Sequence, residues 1–255
     1  RKFMNFPPTF AMYENDAQVT GTEIVSIPRT ANFDLDEDAI MARLGENDID
    51  LVIIANPNNP TGNLVSESFL MDMLKATDAL VCVDEAYFEF SRATVRPLLD
   101  RFDNLVILRT FSKAFSLAAL RVGYMIASPE IVDTFKKVRQ PYSVSAFSQW
   151  AAQVVFRDRA LFENAIEELV FERDKLMEAM REIAGVTVFD SESNFVLFRV
   201  AHASRVWREL YHEYSILIRD VSREEGLDDC LRVSVGTPSQ NHAFLKALRE
   251  IVEKG

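Results

Sequence analysis

The segment Thr110-Phe111-Ser112-Lys113-Ala114-Phe115, with Arg121 eight residues beyond the lysine, sets an amine beside two hydroxyls and a guanidinium. It follows the apolar run Leu105-Val106-Ile107-Leu108, so the pattern predicts a lysine at the carboxyl end of a buried strand. Such an amine can form a Schiff base with a carbonyl cofactor while Thr110, Ser112 and Arg121 hold a phosphate. Taken alone, the segment reads equally well as a strand followed by a surface lysine, because lysines are mostly exposed.

Two further segments separate those readings. Asn56-Pro57-Asn58-Asn59-Pro60-Thr61-Gly62 follows the strand-like Leu51 to Ala55, and Asp84-Glu85-Ala86-Tyr87 follows the strand-like Leu80 to Val83. Three apolar runs thus end in polar clusters. Ligand sites in open α/β sheets lie outside the carboxyl ends of the strands, so one convergent site accounts for all three.

The elements that must position these residues alternate. Strands are expected at Glu23 to Ile27, Leu51 to Ala55, Leu80 to Asp84, Leu105 to Arg109 and Val122 to Ala127, with helices at Asp36 to Leu44 and Ser66 to Ala76. This predicts an α/β fold with a mostly parallel sheet between helices. From about Ser145 the texture changes. Long helices are expected at Ser145 to Phe156 and Arg159 to Ile183, and Gly185 stops the second. Strands then follow at Val186 to Phe189, Phe195 to Val200, Ile216 to Ile218 and Leu231 to Val235, with helices at Ala203 to Tyr214 and Ser239 to Val252. We expect a large domain over residues 1–157 and a smaller C-terminal α/β domain over 158–255 that includes the long connecting helix.

NPNNPTG, DEAYFEF and TFSKAFSLAALRVGY resemble the motifs of the fold-type I pyridoxal-phosphate aminotransferases, most closely the histidinol-phosphate aminotransferases. The likeness runs from Pro8-Thr9-Phe10 to Arg232-Val233-Ser234-Val235-Gly236. It implies pyridoxal 5'-phosphate as cofactor, with Lys113 as Schiff-base lysine and proton shuttle. Asp84 would face the pyridine nitrogen. Asn59 and Tyr87 would bond the phenolic oxygen, although Asn-Pro-Thr-Gly would also make a turn in any protein. Arg121, with Thr110 and Ser112, would hold the phosphate, and Phe10 would stack on the ring, where an ordinary core aromatic is the plain alternative. Glu85 is read as structural. On the substrate side the resemblance implies Arg232 and Arg219, with Asn194 and Tyr13 at the edge of the site; surface salt bridges are the alternative for the arginines.

The reaction implied is transamination of histidinol phosphate with 2-oxoglutarate, in histidine biosynthesis. A related aromatic aminotransferase or an amino-acid-phosphate decarboxylase reuses the same residues. The sequence departs from the family at Pro141-Tyr142-Ser143-Val144, where the usual loop is close to Pro-Phe-Asn-Val. That puts the amino donor in doubt and leaves the cofactor untouched. The resemblance begins some way into a full-length member, so the family's glycine-rich phosphate turn is expected to lie before Arg1. It also implies a homodimer.

The bulk composition bounds the alternatives. With 48% hydrophobic and 26% charged residues the chain is an ordinary globular one. A net charge of −11, with no basic run, argues against nucleic acid and against a regulator with a DNA-binding arm. No apolar stretch approaches the ~20 residues that span a bilayer, so no membrane partner is expected. Cys82 and Cys230 read as core thiols of a cytoplasmic, reducing compartment. His202, His212 and His242 have no metal-ligand spacing, so no metal is expected.

Overall fold

The computed structural model describes residues 1–254. Two sheets organise them. The first holds six strands in the order β2-β1-β3-β4-β5-β6: β1 (Lys2–Asn5), β2 (Glu23–Ser26), β3 (Leu51–Ala55), β4 (Leu80–Asp84), β5 (Leu105–Thr110) and β6 (Gly123–Ala127). β1 to β5 run parallel, and β6 returns antiparallel along β5. The second sheet is antiparallel, in the order β7-β8-β10-β9: β7 (Val186–Val188), β8 (Phe195–Val200), β9 (Arg219–Asp220) and β10 (Cys230–Ser234).

Helices α1 (Met12–Val19), α2 (Glu37–Leu44), α3 (Glu67–Ala76), α4 (Phe88–Ser91) and α5 (Pro129–Val138) belong to the first half. In the remainder lie α6 (Ala146–Arg157), α7 (Ala160–Arg181), α8 (Ala203–Tyr214) and α9 (Pro238–Glu253). Several starts are written in the sequence. Asp36 accepts from Ala39 N, Ser66 from Phe69 N and Ser145 from Ser148 N, each satisfying an orphan amide of the first turn. Thr237 and Gln240 form a reciprocal capping box, with Pro238 in the first turn of α9.

Val52, Ile54, Val81, Val83, Leu105 and Ile107 bury one face of the first sheet against α2 and α3, through Ile40, Leu44, Leu70 and Met73. A separate core joins β8 and β10 to α7, α8 and α9 through Val196, Phe198, Leu231, Leu176, Leu210 and Leu248. The amino-terminal half of α7 bridges the two, because Ile166 packs with Tyr87, Phe90 and Phe195.

One expected strand does not form. Residues Ile216 to Ile218 are irregular, and the strand lies at Arg219–Asp220. Ser215 closes α8 in a left-handed conformation (φ 56°) and Ile216 N returns to Leu210 O. The Ile218 carbonyl then accepts from Trp207 Nε1 at 2.8 Å, so an acceptor of the apolar run is held by a side chain. Gly185 lies beyond the end of α7, in a turn with φ 85°. The pattern gave no sign of β1, α1, α4 or α5.

Candidate functional site

The register places Ala55 opposite Asp84, and Asp84 opposite Leu108, so the carboxyl ends of β3, β4 and β5 lie side by side. Each delivers a polar residue. Asn59, Asp84, Tyr87 and Lys113 line one small cavity of about 60 Å³, closed by Phe10 and Tyr13. Asn59, Tyr87, Lys113 and Phe10 also line an adjoining cleft of about 340 Å³, whose far wall carries Arg219, Glu224 and Arg232. The parallel sheet therefore brings one amine, one carboxylate, one phenol and one amide to a single point, and β9 and β10 add two guanidinium groups.

The loop after β3 is held from both sides. Buried Asn58 donates through Nδ2 to Pro8 O (3.0 Å) and Thr61 Oγ1 (2.7 Å), and its Oδ1 accepts from Thr9 Oγ1 (2.7 Å). Glu192 N donates to Gly62 O at 2.8 Å. Gly62 has φ 83°, and a Cβ there would lie 2.3 Å from Ser191 Oγ, so only glycine fits this approach. Asn56–Pro57 and Asn59–Pro60 are cis.

Asp84 lines the small cavity together with Phe10, Ala55, Pro57 and Ala86. Its Oδ2 accepts from the Tyr13 hydroxyl at 2.6 Å and its Oδ1 from Ala86 N at 3.0 Å. Burial raises its pKa above the ordinary carboxylate value, against the lowering effects of those bonds and of the Lys113 charge. Tyr13 is pushed well above the usual phenol value, first by burial and then by the Asp84 charge. Its hydroxyl is therefore committed to Asp84 and stays protonated. Lys113 is exposed and in no ion pair among the described residues, with Nζ 5.1 Å from the centre of the Tyr87 ring.

Arg232 crosses from the second sheet to the first. Its Nη1 donates to Asn59 Oδ1, and its guanidinium lies 4.7 Å over the Phe195 ring. Phe195 meets Tyr87 edge-on at 5.2 Å. Burial lowers the Arg232 pKa, and Nε is buried without an acceptor. Arg219 is its register partner across β9 and β10 and is exposed. Burial raises the Glu224 carboxyl, against the pull of both arginines.

The remaining residues expected at the site lie off these cavity walls. The Thr110 hydroxyl bonds Val122 O (3.3 Å) and accepts from Ser112 N (3.0 Å). Exposed Arg121, in a left-handed conformation (φ 54°), donates to Ala118 O at 3.1 Å and pairs with no carboxylate among the described residues. Asn194 uses its carbonyl to accept from Val235 N at 3.0 Å.

Glu85, one residue past Asp84, is fully buried and saturated. It accepts from Thr94 Oγ1, Val95 N and Arg109 Nε at 2.9, 2.7 and 2.9 Å. Arg109 also bonds Thr94 and lies 3.5 Å over the Phe88 ring. Sequence reasoning missed Asn58, Phe195 and Glu224. Only Asn58 carried a signal, as an extra asparagine between two prolines.

Among the described residues no group of His, Cys, Asp and Glu could hold a metal, and no helix is long and apolar enough to cross a membrane. Residues 1–248 match the family described as "Aminotransferase class I and II". The chain is 41% identical to histidinol-phosphate aminotransferase 1 of Carboxydothermus hydrogenoformans, over 98% of this chain and 70% of that protein. The histidinol-phosphate aminotransferase structure from Clostridium acetobutylicum superposes with a TM-score of 0.94 at 28% identity, covering 100% of this chain and 79% of that one. L-threonine-O-3-phosphate decarboxylase from Porphyromonas gingivalis superposes at 0.86 with 27% identity, covering 99% and 77%. With that match over nearly its whole length, and three strand ends converging on Lys113, the chain belongs to the class I and II family of pyridoxal-phosphate-dependent aminotransferases.

Proposed function

We propose that the chain carries the transamination of histidinol phosphate with 2-oxoglutarate, with Lys113 as the residue that binds the cofactor. The observation that carries this reading is the set of unmatched polar ends facing one cleft. Lys113 makes no ion pair, the Tyr87 hydroxyl has no hydrogen-bond partner among the described residues, and Arg232 keeps a buried donor without an acceptor. A free amine, a free hydroxyl and a buried unpaired donor gathered on one cleft support a ligand there, since a buried donor left unpaired is costly.

The donor set suits pyridoxal phosphate. When bound, that group supplies an aldehyde that couples to amines and a ring that accepts the electron pair freed at a substrate carbon. Lys113 Nζ would hold the aldehyde carbon. Once displaced by the substrate amine, Nζ is the base that takes the proton from the substrate Cα. Asp84 would hold a proton on the ring nitrogen, and that cation would offset the burial that raises its pKa. Asn59 has its Oδ1 on Arg232, which leaves Nδ2 to donate, beside Tyr87, toward the phenolic oxygen. Phe10, 41% exposed on the cleft wall, offers a ring face. Arg121, Ser112 and Thr110 would meet the phosphate.

At the other end, the Arg232 fork and the Arg219 guanidinium would orient an anion, phosphate in one substrate and carboxylate in the other. Tyr13, held by Asp84 at the opposite end, and Asn194, off the cleft wall, would reach the substrate only at its edge. We take residues 1–157 and 158–255 as the two domains that meet there. The exposed Phe147 and Trp150 of α6 support assembly as a homodimer.

A second reading, decarboxylation of an amino-acid phosphate, draws support from the likeness to the Porphyromonas gingivalis decarboxylase. One experiment separates them. Histidinol phosphate should bleach the absorbance of the bound cofactor and 2-oxoglutarate should restore it, without release of carbon dioxide. Carbon dioxide from an amino-acid phosphate would favour the second reading, and no bleaching by either amine would sink both.

A further inference from the structure

Only two arginines among the described residues are buried, and they are treated in opposite ways. Arg173, 4% exposed, reaches Asp174 at 2.9 Å and Glu192 at 3.3 Å. Arg29, 7% exposed, has no carboxylate within 4.0 Å. Its Nε donates to Phe6 O at 3.2 Å and its Nη1 to Phe33 O at 3.0 Å, both neutral acceptors, while Nη2 is left without a partner. Burial lowers its pKa to about 10, against the distant pull of Asp34. A buried cation without a counter-charge is strongly unfavourable, and the ordinary remedy is a paired anion.

A cavity of about 440 Å³ lies beside this cation. Pro7, Pro8 and Pro28 form apolar walls, and Arg199 brings a second guanidinium from β8. Arg199 also lacks an ion pair among the described residues; it donates to Asp228 O at 3.1 Å and lies 5.4 Å over the Phe189 ring. The only carboxylate on the wall, exposed Glu225, is within ion-pair distance of neither arginine. The cavity shares no lining residue with the Lys113 cleft.

We propose that this cavity is a second anion site, which takes a compact oxyanion (a phosphate or carboxylate head group) between Arg29 of the first half and Arg199 of the second. The fork of each guanidinium matches such a group. An anion there ties the Pro7–Pro8 turn to the loop at Gly226, whose added Cβ would lie 3.5 Å from Pro8 Cδ. Pro8 in turn accepts from Asn58, so the site buttresses the loop that presents Asn59.

The test is thermal unfolding of the cofactor-loaded protein at constant ionic strength, with inorganic phosphate, acetate or chloride as the anion. Phosphate or acetate should raise the midpoint above chloride by about 2–5 °C at ten times the dissociation constant. The larger shift identifies the head group. Arg29→Leu should raise the midpoint in chloride, by removing the unpaired cation, and should abolish the anion-dependent rise. Arg199→Gln, on a partly exposed residue that tolerates change, should also abolish most of the rise. Glu225→Gln should enlarge it. An equal midpoint in all three salts overturns the proposal, as does an unchanged rise in Arg29→Leu and Arg199→Gln. The salts are compared in an Arg232→Gln background, which removes the anion-binding end of the Lys113 cleft, so these outcomes are independent of which amine the enzyme uses.

Discussion

Two neighbouring carboxylates at the end of β4 face opposite sides and have opposite surroundings. Glu85 is saturated by Thr94, Val95 and Arg109, and nothing in its shell is left to bind a ligand. Asp84 has only the Tyr13 hydroxyl and one backbone amide, and burial raises its pKa. The same contrast separates the guanidinium groups. Arg109 is paired and stacked, whereas Arg232 keeps a buried Nε unmatched. Matched charge is scaffold and unmatched charge is site, and the two lie one residue apart. The scaffold pair also has a position to hold: it joins β4 to β5 where those strands hand over Asp84 and Lys113.

Breaking the matched side should have the largest effect on stability. Glu85→Gln leaves the half-buried Arg109 uncompensated beside a fully buried site, which costs about 3 kcal/mol. Chemical denaturation should show that loss, and the cofactor should still bind to the fraction that remains folded. Full stability in Glu85→Gln would remove the contrast. Breaking the unmatched side should spare stability and impair binding. Arg232→Lys keeps the charge and loses the fork, so kcat/KM for the anionic substrate should fall about 10- to 100-fold, the loss of one or two charge-assisted bonds. The unfolding midpoint should barely move.

Asp84 makes the sharpest and smallest test, because its effect has an unusual sign. Its folded pKa lies above the unfolded value, so the native state holds the proton longer. Without cofactor, stability should fall as pH rises from the ordinary carboxylate value through the raised one, and this deficit should persist at neutral pH. Asp84→Asn removes the deficit. The cofactor-free variant should melt higher than the parent at pH 7 and show a flatter pH profile between pH 4 and 7, while it binds cofactor more weakly. A lower midpoint in Asp84→Asn would mean that Asp84 is scaffold like Glu85.

Much of this was legible in the sequence. The strands that lead to Asn59, Asp84 and Lys113 are continuous apolar runs, and such runs carry their own signal. The caps at Asp36, Ser66 and Ser145 follow from side chains that accept local amides. Ile216 to Ile218 misled because an apolar run says nothing about which partner takes its carbonyls, and Trp207 takes one. Phe195 was invisible as a site residue, since one core phenylalanine resembles another until a fold sets it between Tyr87 and Arg232. Arg29 was invisible for the opposite reason. An arginine after Ile27-Pro28 looks solvated, and only the packing of Pro7, Phe6 and Phe33 around it buries the charge.

The central claim is that the unmatched residues at the three strand ends form the cofactor site, with Lys113 as its covalent anchor. Borohydride reduction of the pyridoxal-phosphate-loaded protein, followed by peptide mapping, tests this most directly. The account predicts the cofactor fixed to the peptide that contains Lys113, in one equivalent per chain, and no labelling in Lys113→Ala. Label on another of the chain's lysines, or undiminished label in Lys113→Ala, would contradict it.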